Sequence, residues 1–180
     1  MTRIIKLVLI SGSTRAGSTN TAVVRTAPEV AGDGIQAVPY TGLAGLPHFN
    51  PDDDVDPLPQ PVAELRRVIA EADALLFCTP EYAGDLPGSF KNLLDWTVGG
   101  VEIVGKPAAW INASSSPTGA EGAHQALRTV LRYTGASVVD AACTRIPVPR
   151  EAVAEGTVTD PAVREAIRTV TTTLAAAIPS

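Results

Sequence analysis

Aromatic side chains are scarce, with two Trp, three Tyr and three Phe in 180 residues, so each of the eight carries weight. Cysteine is scarcer still. Cys78 and Cys143 stand alone, with no CxxC pair and no Cys/His cluster. That excludes a disulfide framework and a zinc site, and it suits two buried thiols in a reducing compartment. Basic residues are outnumbered, 14 Lys and Arg against 19 Asp and Glu, giving a net charge of −5. This balance argues against general binding to nucleic acid or to an anionic membrane, and leaves room only for a local basic pocket. Long hydrophobic runs are missing. The apolar start, Ile4 to Ile10, is interrupted by Lys6 and stops at Ser11. It is too short for a secretory core or a membrane span, and reads as the first strand of a cytoplasmic protein.

What is present is the composition of a globular chain, 45% hydrophobic and 18% charged. The length suits a single domain over residues 1–180. Apolar runs at 4–10, 74–78 and 108–111 read as buried strands, with weaker strands at 34–39 and 136–140. Between them lie helical patterns: Thr19 to Ala27 stopped by Pro28, Val62 to Ala72, Gly88 through Trp96, and a helix ending at Tyr133. Asp160 caps a last helix that runs to Ile178, with Pro161 in its first position. Strand and helix alternate, which predicts a parallel sheet covered by helices on both faces. Ligands in such sheets sit at the carboxyl ends of the strands. The loops after strands one, three and four have the unusual compositions.

Residues 41–60 carry Pro47, Pro51, Pro57 and Pro59 and read as loop. Within them, Asp52-Asp53-Asp54 lacks the Gly-x5-Glu continuation of a calcium loop, so the acidic run reads as solvated. The first marked loop is Ser11-Gly12-Ser13-Thr14-Arg15-Ala16-Gly17-Ser18-Thr19-Asn20. Gly12 and Gly17 have Walker A spacing, but Ser18-Thr19 stands where Lys-Ser or Lys-Thr belongs. The GxGxxG fingerprint is absent as well. Two readings stay open from these residues alone. One is a phosphate cradle of hydroxyls, Arg15 and free helix amides. The other is a plain Ser/Thr cap with a solvated arginine.

The second marked loop is Thr79-Pro80-Glu81-Tyr82-Ala83-Gly84-Asp85-Leu86-Pro87-Gly88, continuing into Ser89-Phe90-Lys91-Asn92-Leu93-Leu94-Asp95-Trp96. Together with Gly12-Ser13-Thr14-Arg15 and Ser18-Thr19-Asn20, it resembles the NADPH-dependent FMN reductase family, flavodoxin-like quinone, azo-dye and chromate reductases. The family pattern is roughly GSxRxxSxN after strand one and PEYNxSxPGxLKNxxDW after strand three. The resemblance implies a flavodoxin-like three-layer sandwich with a five-stranded parallel sheet in the order 2-1-3-4-5. It implies that Ser13, Arg15, Ser18, Thr19 and Asn20 hold the FMN phosphate. Pro80, Glu81, Tyr82, Ala83 and Gly84 would line the flavin ring, largely through backbone groups. Ala83 departs from the pattern, where Asn or His is frequent, so a polar contact to ring or substrate is expected to be lost there. Tyr82 reads as part of the flavin site or as a core aromatic.

The third marked loop, 112–122, offers Ser114, Ser115, Ser116 and Gly119 beside the ring; its alternative is a serine-rich turn capping the next helix. His124, inside that helix, reads as a surface or packing residue. Lys91 and Asp95 read as structural or interface residues. The resemblance implies hydride transfer from NADPH or NADH through FMN to a small-molecule acceptor such as free flavin, a quinone, an azo compound or chromate. No catalytic side chain and no metal are then required, because the flavin carries the chemistry. It also implies a homodimer or dimer of dimers. A flavodoxin-type electron carrier without NAD(P)H turnover is the alternative.

Overall fold

The computed structural model describes residues 3–178. Strand β1 (Ile5–Ser11) leads through the first marked loop into helix α1 (Thr19–Val30) and strand β2 (Ile35–Tyr40). After the proline-rich stretch come α2 (Gln60–Glu71), β3 (Ala74–Cys78), α3 (Gly88–Asp95), β4 (Pro107–Asn112) and α4 (Glu121–Tyr133). Short pieces follow: β5 (Ser137–Val138), β6 (Thr144–Arg145) and a hairpin of β7 (Val153–Ala154) and β8 (Thr157–Val158). Helix α5 (Pro161–Ala176) comes last, with Asp160 accepting from the Ala162 and Val163 amides.

Five parallel strands lie in the order 2-1-3-4-5, with β6 continuing beside the end of β4. The central strands are apolar on both faces because both are covered. Leu7, Leu9, Leu76 and Ile111 meet α1 and α5 through Val23, Ala27, Ile167 and Leu174. Val8, Ile10, Leu75, Phe77 and Trp110 meet α2, α3 and α4 through Leu65, Phe90, Leu93 and Leu127. Full burial of each such side chain stabilises the fold by roughly 1.5–3 kcal/mol.

Three expectations need correction. Pro28 does not stop α1, which runs on to Val30. The proline removes only the bond to the carbonyl four residues back, close to an end where carbonyls lack partners anyway. The fifth strand is two residues long rather than 136–140, because a 3-10 turn at Asp140–Ala142 breaks the ladder before β6 resumes it. Asp54 is not solvated. Its carboxylate accepts from Arg66 at 2.7 Å, and both side chains are nearly buried. The Arg66 guanidinium also donates to the Trp96 carbonyl at 2.9 and 3.1 Å, fastening the proline-rich stretch to the end of α3.

The Asn92 and Trp96 side chains of the second motif complete that attachment. Asn92 accepts from the Phe49 amide at 2.7 Å and donates to the Pro47 carbonyl at 2.9 Å. The Trp96 indole N–H donates to the same carbonyl at 2.8 Å. Phe49 then meets Trp96 edge-on at 5.0 Å. Lys91 and Asp95 form an exposed ion pair one turn apart.

Candidate functional site

The loop after β1 (loop 1) is fixed at its root by glycine. The Gly12 amide donates to the Cys78 carbonyl at 2.9 Å, and a Cβ on Gly12 would stand 2.2 Å from Thr79 Oγ1. No other residue allows β1 and β3 to end this close together. Beyond it, the Ser11 hydroxyl accepts from the Ser13 amide at 3.2 Å and pairs with the Thr21 hydroxyl at 2.9 Å. The Ser13 hydroxyl accepts from the Arg15 amide at 3.3 Å, and the Arg15 guanidinium donates to the Gly17 carbonyl at 3.2 Å. Gly17 turns the chain with φ of 71°, and Ser18 caps α1 through the Thr21 amide.

This arrangement suits a phosphate monoester. Thr19 and Asn20 occupy the first turn of α1, where amides have no intrahelical acceptor. Among the described residues these two amides donate to no other protein group. That turn holds no acidic residue to compete for them. Arg15 lies outside every ion pair among the described residues. The cap and the cradle are thus compatible, since Ser18 satisfies one amide and leaves others free. Asn20 is held from beneath: its side-chain oxygen accepts from the Cys78 thiol at 3.3 Å. Burial pushes the Cys78 thiol up, keeping it protonated and able to donate.

Loop 2 follows β3 with Thr79 and Pro80 and then folds into a tight hairpin. Tyr82 and Asp85 exchange amide–carbonyl bonds of 3.0 and 3.1 Å around Ala83 and Gly84, whose φ angles are 51° and 78°. Positive φ at both central residues makes this a type I′ turn. Tyr82 is 50% exposed, so it is not a core aromatic.

Loop 3, after β4, is braced on two sides. The Asn112 carboxamide accepts from the Ser114 amide at 3.1 Å and donates to the Gly119 carbonyl. Arg145 donates to the Ser114 carbonyl at 3.3 Å and to that of Ser116. Gly119 and Ala120 both have positive φ, and α4 begins without a capping side chain of its own. Glu81 of loop 2 fills the gap, its carboxylate accepting from the Ala123 amide at 3.1 Å. A Cβ on Gly122 would stand 2.3 Å from the Gly84 carbonyl oxygen, so loop 2 and α4 touch where only glycine fits. His124 is buried in α4, in keeping with a packing role. Its Nδ1–H donates to the Ala120 carbonyl at 2.7 Å, and Nε2 has no partner among the described residues. Burial lowers its pKa, with the Ala120 carbonyl and Glu81 opposing.

These loops enclose a cleft of about 380 Å³ at the carboxyl edge of the sheet. That volume lies within the range of small-molecule and cofactor sites. Ser13, Arg15, Ser18, Thr19 and Asn20 line it from loop 1. Pro80, Glu81 and Tyr82 line it from loop 2, and Ser114, Ser115 and Ser116 from loop 3. Ala83 and Gly84 do not line it; Ala83 faces a groove shared with α3 and α4, and Gly119 faces a separate depression beside Arg145 and His124. The cleft also contains Thr79, Ala113, Ala120, Val148 and Arg150, which the sequence did not single out. Thr79 and Ala113 directly follow strand ends, a placement that marked them in principle. Val148 and Arg150 lie in a stretch without periodicity or motif.

Residues 5–147 match the family model described as NADPH-dependent FMN reductase. An NAD(P)H-dependent FMN reductase of Pseudomonas aeruginosa is 37% identical over 131 residues, covering 72% of this chain and 70% of that one. A quinone reductase of Pseudomonas putida is 31% identical over 150 residues, covering 82% and 77%. Among solved structures, the flavoenzyme NAD(P)H:(acceptor) oxidoreductase FerB of Paracoccus denitrificans superposes with a TM-score of 0.84 at 29% identity, over 97% of both chains. The chain belongs to the NADPH-dependent FMN reductase family and is an NAD(P)H-driven, FMN-dependent oxidoreductase.

Proposed function

We propose that this chain reduces small planar acceptors, quinones or free flavins foremost, with FMN held in the cleft of the three loops. The observation that carries this reading is that the hydroxyls, Arg15 and open first-turn amides of loop 1 share one cleft with residues of loops 2 and 3. Ser13, Arg15, Ser18, Thr19 and Asn20 would hold the phosphate, and Pro80, Glu81, Tyr82 and Ser114–Ser116 would border the ring. FMN held there would supply the hydride-transfer chemistry between NAD(P)H and the acceptor. The protein's part is positional. Arg15 and the first-turn amides of α1 neutralise phosphate charge. Glu81 ties loop 2 to α4 and so fixes the spacing of the loops on either side of the ring. Ala83, Gly84 and Gly119 shape those loops through their backbone conformations.

Association into a homodimer or a dimer of dimers belongs to the same proposal. A groove of Tyr82, Leu86, Lys91, Ala126 and Val130 adjoins the cleft and supports it, because a second copy seated there would border the acceptor. Among the described residues no helix is long and apolar enough to cross a membrane. The two free cysteines support a reducing, cytoplasmic setting. The deciding assay mixes purified protein with FMN, NADPH and a quinone. FMN-dependent NADPH oxidation is expected, and its absence with every acceptor tried would sink the reading. Light scattering decides the oligomer, where a monomer at micromolar concentration would count against it.

A further inference from the structure

The cleft holds two guanidiniums, Arg15 and Arg150. Both are exposed, and neither belongs to an ion pair among the described residues. Arg150 lies past residue 147, where the match to the family model ends, so the family motifs say nothing about it.

Arg150 is not on a loose tail. The Val148 amide donates to the Ala113 carbonyl at 3.1 Å, extending the end of β4, and buried Val148 itself lines the cleft. Pro149 then leads into a single 3-10 turn, Arg150–Ala152, and into the β7–β8 hairpin. The far end of that hairpin is fastened to α1, where Thr26 Oγ1 accepts from the Val158 amide at 2.8 Å while donating to the Ala22 carbonyl. Arg150 is therefore suspended between the root of loop 3 and the helix whose first turn opens on the cleft.

The charge balance assigns it a role. A phosphomonoester carries about −1.5 to −2 charges near neutral pH. Arg15 supplies one positive charge, and Glu81, the only acidic residue among the described residues that line the cleft, opposes it while bound to the α4 amide. We propose that Arg150 is a second phosphate-binding guanidinium of this cleft, reading the phosphoester of a nucleotide bound there. The proposal rests on FMN occupying the cleft. The phosphoester is either that of FMN itself or the additional phosphate that separates NADPH from NADH.

The test uses Arg150→Gln and Arg150→Lys, with Arg128→Gln as a control outside the cleft and thermal unfolding as the check on folding. FMN and riboflavin are titrated into the flavin-free protein by fluorescence, and KM is measured for NADPH and for NADH. Loss of a charge-assisted hydrogen bond weakens binding by roughly ten- to a hundred-fold. If the FMN phosphate is the partner, R150Q loses FMN affinity by about that factor, riboflavin affinity stays within twofold, and R150K recovers much of the loss. If the dinucleotide phosphate is the partner, FMN affinity holds and KM for NADPH rises while KM for NADH does not. The proposal is overturned if neither ratio moves, or if FMN and riboflavin weaken equally. Wild-type protein that binds neither flavin would instead overturn the cofactor assignment on which the proposal stands.

Discussion

The hairpin Tyr82-Ala83-Gly84-Asp85 sets an alanine where the backbone asks for something else. Its φ of 51° lies in the left-handed region, which costs an L-residue with a Cβ roughly 1–2 kcal/mol. Asn occupies this region several-fold more readily, because its short amide can bond the local backbone. A several-fold preference corresponds to roughly 0.6–1 kcal/mol, so Ala83→Asn is expected to stabilise the protein by about that amount. In a chain of this length the unfolding midpoint should rise by about 1–4 °C. Ala83→Gly separates strain relief from side-chain bonding. Glycine removes the strain but gives the unfolded chain extra freedom worth about 0.5–1 kcal/mol, so a net gain of about 0–1.5 kcal/mol is expected. Ala83→Val, β-branched, should be the least stable of the set. Urea unfolding of the four proteins, read by Trp fluorescence, decides the matter. If Asn is no better than Ala while Val costs nothing, the left-handed conformation at position 83 is wrong.

Other perturbations probe separate parts of the molecule. Arg15→Ala should weaken FMN binding by roughly ten- to a hundred-fold, through loss of a charge-assisted contact. The flavin-free unfolding midpoint should stay put; unchanged FMN affinity in a titration would remove Arg15 from the site. Arg66→Ala strands the Asp54 carboxylate and takes two donors from the Trp96 carbonyl. Breaking a buried pair on one side costs about 3–5 kcal/mol, whereas the double replacement D54L/R66M should recover part of it in a denaturant series. Equal loss in both would show that the pair is not coupled. His124, whose pKa is lowered by burial, stays neutral in the folded protein where the unfolded chain already binds a proton. Stability is therefore fully present above the ordinary value of 6.5 and falls as pH drops from there toward the folded-state pKa. His124→Gln should flatten that limb, and parallel profiles from pH 5 to 8 would exclude His124 as its source.

The buried strands were legible because a strand covered on both faces must be apolar throughout, as Leu75, Leu76 and Phe77 are. The short fifth strand was not. Ala136 to Asp140 carries the right residue types, but the 3-10 turn that breaks it depends on how the chain rejoins the end of β4. Most of the cleft could be read from loops 1 and 2, whose glycines and hydroxyls have a local purpose. Glu81 was legible as a member of loop 2 but not as the cap of α4, since its partner amide lies 42 residues away. Asp54 looked solvated for a similar reason: Arg66 reaches it from the second turn of a helix, and nothing local announces that. Asn92 and Trp96 were visible as parts of a motif, while their attachment to Pro47 required the fold.

The two margins of the sheet bear on how this chain avoids sticking to itself. At one edge, β2 carries Pro39, which has no amide hydrogen to offer an incoming strand. At the other, β5 and β6 are two residues each, with a helical turn between them. Neither border presents the long, flat row of open amides and carbonyls on which a neighbouring chain could add a strand. Strand-to-strand growth into aggregates is blunted at both ends, and self-association of this fold is directed to its helices and loops.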